Sequence, residues 1–181
     1  GASPDLVAVR LTASRPGRLS LVLQLDRPER FATRVEQDRD LVMTGQLENG
    51  EDGRGVRYAC RVRVWTRGGR LTSDGARLIV ESADEVRLYI AAVTDLKTFA
   101  GRAEADPAAA TARDLRGVER RDWAGLLRRH ERAFARLYGR TELRLAGSSV
   151  GTKRRPTPAR LAGAAGDPGL AALYSISAAM P

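Results

Sequence analysis

The sequence predicts an α+β protein in which an antiparallel β-sandwich over residues 1–100 is followed by linker α-helices over residues 101–181. Through the first half, apolar side chains alternate with polar ones, which is the period of a strand with one buried face. Glycine, aspartate and asparagine turns separate seven or so such runs, a pattern typical of a sandwich. Near Asp95 the composition changes to Ala, Arg and Asp, and the period lengthens to about 3.6, which marks a domain boundary.

Each predicted strand is bounded by turn-forming residues. The predicted strands are 7–11, 19–25, 41–47, 56–67, a short run around Leu71, 78–81 and 85–94. Residues 15–18, Arg-Pro-Gly-Arg, predict a turn that joins the first two strands as a hairpin with one apolar face. Residues 49–55 predict a flexible turn into the strand at 56–67, and Asp74 with Gly75 predicts a tight hairpin turn.

The strand at 56–67 carries a row of arginines on one face. Val56, Tyr58, Cys60, Val62 and Val64 are predicted to face the core, and Arg57, Arg61, Arg63 and Arg67 alternate with them. We predict that these arginines form a solvent-exposed face, where charge resists edge-to-edge pairing with other sheets. The alternative is that the row binds anionic sugars or nucleic acid.

Two capped helices are predicted after the boundary. Asp106 and Pro107 provide an N-cap and a first-turn proline ahead of a helix over 108–118. Asp122 is predicted to cap a second helix that ends at Tyr138, with Gly139 in a left-handed C-terminal position. Further along, the sequence predicts a short strand at 141–145, an exposed loop at 146–155 and helices that begin at Thr157-Pro158 and Asp167-Pro168.

The chain has a single cysteine and a single histidine. A lone cysteine excludes an internal disulfide and a thiolate metal cluster, and Cys60 is predicted to be a small buried side chain in its strand. His130 is predicted to be a packed or hydrogen-bonded structural residue, because it lies within an apolar helical stripe. That stripe comprises Trp123, Leu126, Leu127, His130, Phe134, Leu137 and Tyr138.

Acidic residues come close together at three places in the sequence: Asp38 with Asp40, Glu51 with Asp52, and Asp84 with Glu85. Each pair lies in or beside a predicted turn, where carboxylates are usually solvated. A general acid needs a pKa raised by burial or by a neighbouring charge. We therefore predict no catalytic, cofactor-binding or metal-binding residue in this chain, and no cofactor.

The net charge of +9 and the pI near 10.8 raise the question of an anionic partner. The arginines are spread along the whole length, and acidic residues are interspersed among them. The local clusters, Arg128-Arg129 with Arg132 and Arg136, and Lys153-Arg154-Arg155, are predicted to be a solvated helix face and a solvated linker. Nucleic acid is therefore not an expected partner. The chain has no run of about 18 apolar residues that would predict a membrane segment.

The order of these segments resembles glycoside hydrolase family 95, whose characterised members are mainly α-L-fucosidases with some α-L-galactosidase activity. The segments are SPDLVAVRLTASRPGRLSLVLQLDRP at 3–28, LVMTGQLENGEDGRGVRYACRVRV at 41–64, GARLIVESADEVRLYIAAVTD at 75–95, the helix at 123–138, and PTPARLAG from Pro156 paired with DPGLAALY from Asp167. The last pairing is the most distinctive, because similar segments in the family lead into the catalytic barrel.

The resemblance implies a bacterial enzyme in which an N-terminal β-sandwich of large twisted sheets is joined by a helical linker to an (α/α)₆ barrel. Such enzymes invert the anomeric configuration, with an acid and a base about 6.5–9.5 Å apart to admit the attacking water. In the family both groups lie in the barrel. We therefore expect a partial supersandwich with unpaired sheet edges and no activity of its own, whose partners are that barrel and, through the parent enzyme, a fucosylated oligosaccharide. Secreted, periplasmic and cytoplasmic locations of the parent all stay open.

A second hypothesis is a stand-alone carbohydrate-binding or protein-interaction sandwich. In that case Trp65 and Tyr89 would be exposed and would stack on sugar rings, whereas they could equally form the core of a second sheet layer. A third hypothesis is association with nucleic acid through the basic charge, which would weaken steeply with salt.

Overall fold

A computed structural model of the protein describes residues 6–97 and 102–139. The strands within those residues are β1 (Val7–Thr12), β2 (Leu19–Gln24), β3 (Phe31–Glu36), β4 (Asp40–Gln46), β5 (Arg57–Arg67), β6 (Arg70–Asp74), β7 (Arg77–Ala83) and β8 (Glu85–Thr94). The helices are α1 (Pro107–Asp114) and α2 (Trp123–Tyr138), with a 3₁₀ turn at Val118–Arg120 between them. The α+β class, with helices after an antiparallel sandwich, is confirmed.

Two antiparallel sheets make up the sandwich. One has five strands in the order β1-β8-β5-β4-β3, and the other has three in the order β2-β7-β6. The core between them contains Leu41, Val62 and Val64 from the larger sheet and Leu78 and Val80 from the smaller one. Burying each such side chain contributes roughly 1.5–3 kcal/mol, which makes this interface the main source of stability.

The predicted hairpin between the first two strands is wrong. β1 pairs with β8, with Val9 opposite Leu88, whereas β2 pairs with β7, with Val22 opposite Ile79. The connection between β1 and β2 therefore crosses from one sheet to the other. A hairpin would place both apolar rows on one face of one sheet, whereas the crossing lets them pack against the core from opposite sides.

Strand β3 was not predicted from the sequence. It pairs with β4 so that Thr33 lies opposite Met43. Its apolar alternation is weak because Thr33 stands at one of its inward positions. The turn into β4 also carries no glycine. Gln37 and Asp38 adopt positive φ angles of 54° and 51° there, a conformation that a sequence pattern signals most clearly through glycine.

The remaining predicted strands are confirmed to within a few residues at each end. The turn at Asp74 and Gly75 is also confirmed, because β6 and β7 pair on either side of it and Gly75 has a φ of 58°.

Helix α1 packs on the outer face of the five-stranded sheet, against β5 and β8. Asp106 caps it as predicted, because the Ala109 N–H donates to the Asp106 carboxylate at 3.0 Å. The helix ends at Asp114 rather than at residue 118, and Gly117, with a φ of 66°, turns the chain into the 3₁₀ turn. Leu115 and Val118 are fully buried, so the middle of β5, which carries Arg61 and Arg63, is covered on this face.

The chain divides into two compact units, Gly1–Trp123 and Ala124–Pro181. The predicted division into 1–100 and 101–181 stays a prediction. In the described part of the second unit, α2 ends at Tyr138 as predicted, but Gly139 is not left-handed, and its N–H donates to the Ala135 carbonyl at 2.9 Å. The strand, loop and helices predicted after residue 140 lie outside the described residues. Among the described helices, none combines the length and apolarity that crossing a membrane requires.

Candidate functional site

A buried cluster of charged side chains surrounds Asp40 in the first unit. Arg63 donates to Asp40 in bidentate fashion, from Nε to Oδ1 and from Nη2 to Oδ2, both at 2.7 Å. Arg61 Nη1 donates to Asp40 Oδ2 at 3.0 Å and to Glu36 Oε2 at 2.7 Å. The side chain of Asp40 is only 1% exposed. The prediction that Asp38 and Asp40 are solvated turn carboxylates is therefore wrong for Asp40.

Strand register brings these residues together. Asp40 lies directly opposite Arg63 in the β4–β5 pairing, and Arg61 lies two residues along β5 on the same face. Arg63 also donates from Nη1 to the carbonyl of Leu115 at 3.0 Å, which anchors the end of α1 to the sheet. The prediction of an exposed arginine face is thus wrong for Arg61 and Arg63, whereas Arg57 and Arg67 are exposed.

Glu36 and Arg63 are held in their charged forms within this cluster. Burial alone would raise the pKa of Glu36, but hydrogen bonds from Arg61 and Arg34 outweigh it and hold the pKa below its ordinary 4.5. The hydrogen bonds to Asp40 raise the pKa of Arg63 above its ordinary value, against the opposing effect of burial. Opposite charges in close contact favour the charged forms of both partners, which identifies this cluster as an ion-pair network.

A second network surrounds Glu85 at the beginning of β8. Arg10 donates to both of its oxygens, at 2.9 and 3.0 Å, and Arg87 Nε donates at 2.6 Å. The hydrogen bonds from Arg10 and Arg87 lower the pKa of Glu85 despite its complete burial. The prediction of a solvated turn carboxylate is wrong here too. Asp84 beside it is half-buried and accepts from the Gly17 N–H at 2.7 Å, which fixes the crossing loop between β1 and β2.

Five of the described carboxyl groups have a pKa that clearly departs from the ordinary value, and hydrogen bonds from arginine or backbone N–H groups lower it in every case. They are Glu36, Asp52, Glu85, Asp95 and Glu104. A glycosidase acid must hold its proton near neutral pH, which needs a shift in the opposite direction. Asp52 lies with Glu51 in an exposed turn, as predicted.

The two candidate sugar-stacking aromatics are not exposed platforms. Tyr89 is fully buried on the α1 side of β8, and Trp65 is half-buried with the guanidinium of Arg87 4.4 Å from its ring centre. The Arg87 guanidinium therefore occupies a face that a sugar would need. The burial of Trp65 and Tyr89 agrees with the alternative that these side chains are packed within the protein.

Cys60 and His130 fill no catalytic role that the geometry supports. Cys60 is half-buried in β5, and burial raises the pKa of its thiol, which opposes formation of the nucleophilic thiolate. His130 is exposed on α2 rather than packed, with its ring centroid 6.3 Å from that of Phe134. Over residues 6–97 and 102–139, no group of three or more His, Cys, Asp or Glu side chains is arranged to hold a metal ion.

The buried networks could not be found from the sequence because they depend on register. The alternation in β5 shows which residues share a face, but only the pairing of Asp40 with Arg63 shows that an acid neutralises the row. One signal in the sequence did indicate that a sheet face is covered. Ala110, Leu115 and Val118 are apolar and follow the sandwich closely in the chain, so they are expected to pack on one of its faces.

Comparison with known families gives one match. The model of the glycosyl hydrolase family 65 N-terminal domain matches residues 2–98, which is more than half of the chain. A search of curated proteins finds no match. The resemblance described above is therefore confirmed at the level of a glycoside hydrolase N-terminal β-sandwich, whereas family 95 itself is not. The chain belongs to the family of glycosyl hydrolase family 65 N-terminal domains.

Proposed function

We propose that the chain is the non-catalytic β-sandwich portion of a bacterial inverting α-L-fucosidase-like glycoside hydrolase, in which it supports a catalytic (α/α)₆ barrel and shapes its rim. The family match over residues 2–98 carries the glycosidase part of this proposal. The fucosidase part is supported by the resemblance of the quoted segments to family 95.

The charge arrangement supports a scaffolding role. Asp40 and Glu85 each lie at the centre of a buried network and accept hydrogen bonds from two arginines. Removing one partner of such a network leaves an uncompensated buried charge, so the network opposes rearrangement of the strands that carry it. These hydrogen bonds, with the one from Arg63 to the Leu115 carbonyl, position β4, β5, β8 and α1.

Stereochemistry of product release tests the proposal most specifically. The parent polypeptide that contains this chain is incubated with an α-L-fucosylated oligosaccharide, and proton NMR follows the anomer that appears first. We expect β-L-fucose first, because a single displacement by water inverts the centre. An α-L-galactoside is the comparison for sugar specificity.

Release of α-L-fucose first would contradict the inverting mechanism. Cleavage of glucosides but not of fucosides or galactosides would contradict the fucosidase assignment while leaving the glycosidase family intact. The two results are therefore distinguishable.

The alternative of a stand-alone carbohydrate-binding module loses its main support, since Trp65 and Tyr89 are not exposed. Calorimetric titration of the chain with fucose, galactose and fucosylated oligosaccharides separates the two, because the support domain should bind none of these neutral sugars. We expect the oligosaccharide to be a partner only of the parent enzyme, with nucleic acid and membranes outside its partners.

A further inference from the structure

A charged cavity of about 410 Å³ lies in the first unit where the β3–β4 hairpin, β5 and the end of α1 meet. Its lining is contributed by β3, β4, β5, α1 and the segment that follows α1. Pockets for small ligands are usually about 300–1,000 Å³, so this cavity has room for an ion or for one sugar-sized molecule.

The inner wall of the charged cavity is almost fully hydrogen-bonded. Arg63 uses all three of its nitrogens, on Asp40, Glu119 and the Leu115 carbonyl. Arg61 differs, because its Nε has no hydrogen-bond partner although its side chain is only 6% exposed. A buried N–H without a partner is costly. Arg61 lines the cavity, so an acceptor bound there is a candidate partner for its Nε.

The rim carries three further guanidinium groups with little or no compensation. Arg39 reaches Glu119 only at 3.9 Å and Gln37 at 3.4 Å. Arg116 and Arg120 are exposed and form no ion pair or side-chain hydrogen bond with the described residues. The lining thus holds five arginines against the three carboxylates of Glu36, Asp40 and Glu119, a formal excess of two positive charges.

We propose that the charged cavity binds a small oxyanion, held by Arg116, Arg120 and the free Nε of Arg61. Guanidinium groups present paired N–H donors that match the oxygens of phosphate, sulfate and carboxylate. The size of the cavity extends the class to sugar acids and sugar phosphates, in which one such group is attached to a ring. The proposal does not depend on the fucosidase assignment.

Calorimetric titration of the full 181-residue chain with inorganic phosphate, with sulfate and with glucuronate tests the site. Neutral glucose is the uncharged comparison for glucuronate. The test variant carries Arg116→Gln together with Arg120→Gln. We expect saturable binding of at least one oxyanion and a loss of tenfold or more in the variant, since a charge-assisted hydrogen bond is typically worth about tenfold or more.

The matched control replaces Arg18 and Arg70 by glutamine, because both arginines are exposed and lie outside the cavity. This double substitution removes the same total charge as the test variant. Equal weakening in both variants would overturn the proposal, since it would mean attraction by net charge alone. No saturable binding of any of the three anions, or equal binding of glucose and glucuronate, would also overturn it. Binding of phosphate or sulfate alone would assign the site to the free ion, and tighter binding of glucuronate would assign it to a sugar acid. Circular dichroism melts of both variants verify that each is folded.

Discussion

At the scale of single residues, Asp40 shows why the candidate site could be predicted only in part. The sequence places an aspartate near a turn and four arginines along a strand, and each pattern taken alone predicts solvated charges. Register puts the aspartate against two of those arginines, and α1 then removes the pair from water. Glu85 is similar, since its partner Arg10 lies 75 residues away in the chain.

The first prediction concerns Asp40. Asp40→Ala leaves Arg61 and Arg63 buried without their shared counter-ion, and breaking a buried pair in this way costs about 3–5 kcal/mol of unfolding free energy. Urea denaturation measures the loss. Asp26→Ala is the control, because Asp26 is exposed, and an exposed substitution should change stability by less than about 0.5 kcal/mol. A loss at Asp40 as small as that at Asp26 would show that the network does not stabilise the fold.

The second prediction is the pH dependence. The pKa values of Glu36 and Glu85 lie below their ordinary 4.5 in the folded protein. Folding therefore favours the ionised forms, so their stabilisation is fully present above pH 4.5 and is lost as the pH falls through the folded pKa values. The unfolding free energy should decline as the pH falls below 4.5. In the Glu85→Gln variant this decline should be less steep than in the unsubstituted chain. Exposed Glu81 gives the control, because Glu81→Gln should leave the acid slope unchanged. An unaltered slope in Glu85→Gln would refute the assignment.

At the scale of elements, strands and helices with strong periodicity were predicted well. The pairing of strands into sheets was predicted less well. The alternating runs of β2, β5 and β8 and the cap of α1 at Asp106 were all correct. The pairing of β1 with β8 was missed because a six-residue loop with Pro and Gly is compatible with a hairpin and with a crossing. Strand β3 was missed because a non-glycine turn gives little signal.

The third prediction compares two glycines that share a positive φ. A Cβ at Gly69 would lie 2.3 Å from the Glu81 carbonyl oxygen, whereas a Cβ at Gly75 would meet nothing within 4 Å. Both alanine variants carry the backbone cost of about 1–2 kcal/mol, and Gly69→Ala adds a clash of about 1–3 kcal/mol. In thermal unfolding, the melting temperature of Gly69→Ala should therefore be well below that of Gly75→Ala. Equal melting temperatures would show that the turn between β5 and β6 yields easily.

At the scale of the whole molecule, the sandwich is closed only in part. Leu19, Leu21 and Leu23 of β2 point toward the core but remain half-buried, and Val22 beside them is 60% exposed. Among the described strands, β1, β3, β2 and β6 lie at sheet edges. The half-buried leucines leave part of the core-facing surface of the smaller sheet uncovered by the described residues.

The measurement that tests the central claim most directly is turnover by the isolated chain. The chain is incubated with α-L-fucosides, α-L-galactosides and α-glucosides, and sugar release is compared with buffer. We expect rates equal to buffer, because hydrogen bonds from arginines lower the pKa values of Glu36 and Glu85, whereas a general acid needs a raised pKa. Release that scales with chain concentration and disappears in Glu36→Gln or Asp40→Asn would contradict the account, since it would place the chemistry within this domain.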